Sequence, residues 1–461
     1  MKRFRSAWLA AASVAVWIAV AGARPRYGGT LRVETSAAMR TLNPAAAPAD
    51  AADLAARRVL FPLVFETLVT VDGDRGVRGV LALDWEADSA GTRWRFRLRP
   101  AVRLHDGTVL DSGRVAAALS AREPAWQVAA DVNAITIEPG APVADLPWQL
   151  AAPRYAIAFG RTGGGEPIGT GPFAIERWEP KRLRLRAHEN HWQGRPFPDA
   201  VHVEMGRSLE AQLASLEAGR ADIAAIAVQD VRRAASRGLR VVTSSPRELV
   251  ALVFPGKPPA PLPLRQALTL AVDRRAMWNA LLQRRGEPAS SLLPQWLRGH
   301  ARPGEVPLDR PRARSIVLAL PPAQRALTIR VPAADPLLRS IAERVAVDAR
   351  DAGLVLTVDI AGTTAVRGAR AQLVRAGIEA TTPDRALAGL LRELGLAAAT
   401  DPGSVEEIHR SEQTLLDRGD VVPLAHLPDV YAVARVDSWN EPMVWPSGAL
   451  NLGSIWLKPA P

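Results

Sequence analysis

Residues 166–222 constrain the fold more than any other part of this 461-residue chain. They open on Gly169-Thr170-Gly171-Pro172, where glycine permits unusual backbone angles and proline sets the next bend. Two alternating runs, 173–178 and 182–187, predict strands with one buried face. A polar turn over 188–192 leads to a third strand at 201–205. A helix follows, with Leu209, Leu213 and Leu216 on one face and Gly219 as its C-cap. The stretch groups no catalytic constellation, so it reads as scaffold.

A chain this long exceeds one ordinary core and predicts two or more lobes. Hydrophobic residues make up 48% and charged residues 23%, a soluble globular balance. The formal net charge is +11, and removing Lys2, Arg3 and Arg5 of a leader leaves +8. Such a charge suits either a nucleic-acid or anionic-surface partner or a solvated, arginine-rich exterior. The run Arg93-Trp94-Arg95-Phe96-Arg97-Leu98-Arg99 favours the second reading. Its period of two puts the apolar residues on one face and the arginines on the other, whereas a nucleic-acid reader needs both on one accessible face. No nucleic-acid partner is expected. The chain has no cysteine, which excludes disulfides and thiolate metal sites but leaves an oxidising compartment open.

The N-terminus, MKRFR, precedes an apolar run from residue 7 to 21 that is short for a membrane span. Ala21-Gly22-Ala23 then supplies an A-x-A cleavage site. Residues 1–23 therefore read as a cleaved signal peptide, with an uncleaved anchor as the alternative. No cysteine follows for lipoprotein attachment, and no later run approaches 18 apolar residues. A periplasmic or secreted mature protein is expected.

Further along, Tyr27-Gly28-Gly29-Thr30-Leu31-Arg32 feeds a first strand, and Leu42-Asn43-Pro44 closes that unit. His105-Asp106-Gly107 marks a tight turn, and Asp111 is placed to cap the next helix. His105 and Asp106 read as turn residues, because no third group orients them for acid–base work. Residues 241–242 and 249–254 predict two strands, and 255–259 a linker. Asp273 can cap a helix through Met277 and Leu281. Strand 327–331, a helix through Leu337, Ile341 and Val345, and strand 354–360 predict a parallel crossover.

Taken in order, several motifs resemble one family. They are Gly-Thr-Gly-Pro-Phe at 169–173, Trp178-Glu179-Pro180, Asn190-His191-Trp192-Gln193-Gly194-Arg195-Pro196, Ala218-Gly219-Arg220-Ala221-Asp222-Ile223, and the run from Leu264 to Arg274. The chain is similar to the extracytoplasmic solute-binding proteins of ABC importers, family 5, the oligopeptide, dipeptide and nickel type. The resemblance implies a two-lobed α/β periplasmic-binding-protein fold, large and type II-like, with an extra subdomain in lobe 1 and mixed sheets flanked by helices. It implies lobe 1 over 24–254, with the side subdomain over about 46–165. Lobe 2 then covers 255–424, and 425–461 returns to lobe 1. It further implies a monomeric, non-enzymatic protein without cofactor or metal, which traps a small molecule or peptide and hands it to an inner-membrane ABC permease. A same-fold sensor and a secreted hydrolase with paired carboxylates are the rival readings. Residues 121–165 are short beside typical members.

Peptide-binding members resembling this chain carry R-A-G-W-x-A-D-Y, whose aspartate holds the peptide ammonium. Here the match is Arg375-Ala376-Gly377-Ile378-Glu379-Ala380-Thr381-Thr382. Thr381 stands at the aspartate position, and a hydroxyl cannot supply the carboxylate's Coulomb attraction. Glu379 would share its face in an extended segment, either as a substitute anchor or as an ordinary exposed glutamate. Trp296 and Trp439 lie in irregular segments, either lining a cleft or packed. Trp85, Trp94, Trp178 and Trp192 read as core. With Thr35, just after the first strand, the candidate ligand-binding residues are Thr35, Trp296, Arg375, Glu379, Thr381 and Trp439. His188, His191 and His202 lack a clear carboxylate or fourth ligand, so they read as solvated turn histidines rather than a metal site. The chain holds no P-loop, G-x-S-x-G or H-E-x-x-H motif.

Overall fold

An 11-stranded mixed sheet organises the protein. The computed structural model describes residues 25–458 apart from 73–75, 144, 161–164, 256–258, 299–307, 334, 361–369, 397–404 and 439–441. In chain order its main strands are β1 (Thr30–Glu34), β2 (Phe173–Glu179), β3 (Arg182–Ala187), β4 (Ala200–Glu204), β5 (Ile223–Ala225), β6 (Arg240–Val253), β7 (Ala326–Val331), β8 (Val355–Ile360), β9 (Arg370–Gly377) and β10 (Val421–Val433). Their spatial order is β8-β7-β9-β6-β10-β5-β1-β4-β3-β2, with Glu287–Pro288 paired beside β10. The two lobes thus sit at opposite ends of one sheet, and β6 and β10 cross between them.

The sequence predicted two strands where the structure has the single 14-residue β6. The join has a physical cause. Pro246 lies opposite Pro428, and the register shifts on both sides of Pro246. Neither proline has an N–H to donate, so the ladder lapses there without ending the strands. Toward one end, Tyr431 and Val433 pack with Leu31, Phe173, Leu185 and Val201. Toward the other, Val250, Leu252, Val422 and Leu424 pack with Leu327, Ile329 and Ile341. This second cluster also reaches back to Leu213 and Ile226, so the lobes share an apolar seam along the crossing strands. The predicted crossover is present, with β7 and β8 pairing in parallel.

A separate four-stranded sheet (Ala82–Ala87, Trp94–Leu98, Ala134–Glu138, Gln127–Ala130) forms the side subdomain's core. In Trp94–Leu98 the residues alternate buried and exposed. Arg95 pairs with Asp131 at 2.8 Å and Arg97 pairs with Asp84, so the arginine face is solvated as its period requires.

The Gly-Thr-Gly-Pro turn works differently from the expectation. Neither Gly169 nor Gly171 has a positive φ. A Cβ on Gly169 would lie 2.3 Å from the Val64 carbonyl oxygen, and one on Gly171 2.6 Å from the Val64 carbonyl carbon. Glycine is required for close approach rather than for a special angle. His105 closes the turn: its backbone N–H donates to Gly169 O at 3.0 Å, and its Nδ1 accepts from Gly169 N at 3.2 Å. His188 and His191 are buried, not solvated, because both pack beneath this turn. His188 Nδ1 lies 3.1 Å from Gly171 O, and His191 Nε2 lies 3.4 Å from Glu66. Burial pushes the His105 pKa down to about 3, so that ring is neutral at physiological pH. Among the described residues no helix is long and apolar enough to cross a membrane.

Candidate ligand cleft between the lobes

Three helices frame the interlobe space: α1 (Ala51–Leu60), α2 (Pro336–Asp351) and α3 (Pro383–Glu393). Asp50 caps α1 by accepting from Asp53 N, and Asp335 caps α2 by accepting from Leu338 N. These caps fix where each helix presents its end. A cleft of about 500 Å³ opens between them. Thr35 and the face of α1 form one wall, and the start of α2 with the end of β9 forms the other. Glu248 of β6 and Asp429 of β10 lie on its floor, beside the proline pair. The site therefore sits where the crossing strands change lobes.

Charge is concentrated here. Arg58 of α1 is buried, with Nε 2.8 Å from Glu379 Oε2 and Nη1 2.8 Å from Asp429 Oδ2. Burial works against its charge, but Asp429 and Glu379 hold its pKa above the usual arginine value. Arg375 of β9 lies 3.4 Å from Glu248 and 3.4 Å from Asp335. The Glu248 side chain is 36% exposed, and that surface faces the cleft. Burial of the rest of the group, only partly offset by Arg375, raises its pKa to about 7. Glu393 accepts from Gly377 N at 3.0 Å, and burial raises its pKa too. Five carboxylates (Glu248, Asp335, Glu379, Glu393, Asp429) thus face two guanidiniums (Arg58, Arg375) around the cleft. That excess of acid favours a positively charged group inside.

The candidates from sequence fall in different places. Thr35, Arg375 and Glu379 line the cleft. The Thr35 hydroxyl donates to Ala37 O at 2.9 Å and holds its own loop. Glu379 is paired with Arg58 rather than exposed. Thr381 is buried, and its hydroxyl donates to Trp148 O at 2.7 Å, tying lobe 2 to the side subdomain. It lines an inner pocket instead of the main cleft. Trp296 requires a correction: it lines neither space and packs with Leu292, Leu390 and Ile378. Its Nε1–H donates to Pro246 O at 2.7 Å, satisfying a carbonyl where the ladder is irregular. Trp439 lies outside the described residues.

Sequence reasoning missed Arg58, Arg247, Glu248 and Asp429. A signal was present for the strand residues: Arg247-Glu248 directly precede the apolar run 249–253, and Asp429 interrupts a mostly apolar strand, where a charge needs a partner or a ligand. Among the described residues no group of three or more His, Asp or Glu could hold a metal ion.

The family model for bacterial extracellular solute-binding proteins, family 5, matches residues 76–385. The peptide transport periplasmic protein SapA of Salmonella typhimurium is 28% identical over 182 residues, which cover 36% of this chain and 33% of that one. The chain thus aligns with about a third of that relative's length. In structure, the chain is similar to the oligopeptide-binding protein AppA from Bacillus subtilis in complex with a nonapeptide. The TM-score is 0.68 at 17% identity, covering 95% of this chain and 100% of that one. It is also similar to the ABC transporter substrate-binding protein CtaP from Listeria monocytogenes, with a TM-score of 0.75 at 17% identity over 94% of this chain and 100% of that one. The ordered motifs, the two lobes joined by crossing strands and the family match agree, and the chain belongs to the bacterial extracellular solute-binding proteins of family 5.

Proposed function

We propose that this protein captures a small, peptide-like solute between its two lobes and delivers it to an ABC permease in the inner membrane. The observation that carries the reading is the charged cleft at the crossing strands, walled by α1 on one side and by α2 and β9 on the other. Closure about β6 and β10 buries a guest and changes the surface offered to a permease. The likeness to SapA, a peptide transport protein, and to AppA, an oligopeptide-binding protein, favours a peptide, and the excess of acid in the cleft favours a guest with an ammonium. Residues 24–254 form lobe 1, with the side subdomain over about 46–165. Residues 255–424 form lobe 2, and 425–461 return to lobe 1. Residues 1–23 are cleaved as a signal peptide, and the monomeric mature protein works in the periplasm without a lipid anchor.

Four of the five cleft carboxylates are tied to Arg58 or Arg375 and Glu393 to Gly377 N, which suits binding better than acid–base work. Mass spectrometry of small molecules released from the natively purified protein tests the reading. The expected result is one cationic or zwitterionic guest per protein, which restores the melting temperature when added back. A guest-free protein that no member of a peptide library stabilises would contradict it.

A further inference from the structure

Behind the Arg58–Glu379 pair lies an inner pocket of about 110 Å³. Both residues line the inner pocket and the outer cleft, so the ion pair forms part of the wall between them. The size approaches that of a ~150 Å³ cavity that admits one benzene ring. Phe61, Phe65, Trp192 and Trp445 give the pocket an aromatic lining. Phe61 and Phe65 meet edge to face at 5.4 Å. The Arg78 guanidinium lies 4.8 Å from the Trp445 ring centre. The carboxylates here are already engaged: Glu66 accepts from Trp192 Nε1 at 3.0 Å, and Glu379 holds Arg58.

Arg247 is not engaged in this way. It comes from β6, lines the inner pocket, and exposes 1% of its surface. Its Nε and Nη1 have no hydrogen-bond partner among the described residues. Its guanidinium lies 4.7 Å from the Trp296 ring centre, a contact that satisfies a face and none of the N–H groups. Burial, with Arg58 nearby, pushes its pKa down to about 9 against the attraction of Glu379 and Asp429, so it stays charged at neutral pH. A guanidinium offers its donors as a rigid fork that matches a carboxylate. A buried charge in that condition is costly unless a ligand completes it.

We propose that the inner pocket is a second ligand subsite, in which Arg247 takes a carboxylate and the aromatic lining takes an apolar or aromatic stem. This assignment rests on the reading that the interlobe space holds a solute. It narrows the solute class to aromatic or apolar carboxylates, with any ammonium left to the acid-rich outer cleft. The side chain that decides this specificity is Arg247, not Glu379 or Thr381.

Calorimetric titration of the full-length mature protein, stripped of any guest, with 3-phenylpropanoate and with 3-phenylpropanamide tests it. The two probes share shape and differ in charge. The acid is expected to bind at least about tenfold more tightly than the amide, one charge-assisted contact's worth of affinity. Arg247→Met should abolish that preference, and Arg247→Lys should keep part of it. The acid–amide comparison on the unaltered protein needs no variant, so the test stands even if Arg247→Met fails to fold. Equal binding of acid and amide, no binding of the acid, or an unchanged preference in Arg247→Met would each overturn the assignment. A guest can still co-purify if this comparison fails, and the comparison can succeed if none co-purifies, so the two readings fail separately.

Discussion

Arg58 joins segments 321 and 371 positions away along the chain, through Glu379 and Asp429. Removing Arg58 leaves two half-buried carboxylates without their counter-charge. Arg58→Met should therefore cost about 3 kcal/mol in urea unfolding, and adding Glu379→Gln should recover part of the loss. An unchanged midpoint in Arg58→Met would show that the contact is idle. Glu248 gives a second test at this scale. Its folded pKa of about 7 lies above the ordinary 4.5, so the native state keeps a proton that the unfolded chain releases. The stability it contributes is full below about pH 4.5 and falls as pH rises toward 7. Glu248→Gln should flatten that part of the pH profile of the melting temperature. A profile identical to the parent's would mean that burial does not hold the proton there.

The Gly169-Thr170-Gly171-Pro172 turn shows what an element can and cannot reveal in sequence. Its position, the strands after it and the helix that ends at Gly219, where φ is +67°, were legible, because turn residues and alternation are local signals. The reason for its glycines was not legible, since Val64 approaches from a segment about a hundred residues earlier. Gly171→Ala should destabilise the protein by about 2 kcal/mol in thermal or urea unfolding, as an overpacked contact with backbone does. A neutral substitution would mean that the Leu63–Phe65 segment can give way. The crossing strands teach the same lesson. The runs 241–242 and 249–254 read as two strands, and only the pairing of Pro246 with Pro428 shows how one strand continues through both. Sequence left Trp296 open between lining a cleft and packing, because nothing nearby in the chain reveals the Pro246 carbonyl that it caps. Arg375 and Glu379 could be found because a family motif marked them, whereas Arg58 sits in a helix of ordinary pattern.

At the scale of the molecule, the division into lobes followed from length and motif order, but the apolar seam shared across the crossing strands did not. That seam resists separation, while the proline-interrupted ladder and the cleft beside it permit bending. The outer cleft favours a positive group, and the inner pocket holds a guanidinium whose Nε and Nη1 have no hydrogen-bond partner among the described residues. One guest can meet both demands only if the lobes open to admit it and then close. Small-angle X-ray scattering of the protein with its co-purified guest, after the guest is stripped, and after it is restored measures that motion directly. Hinged capture predicts a larger radius of gyration for the stripped protein and a return to the smaller value on adding the guest back. The same radius in all three states would contradict it.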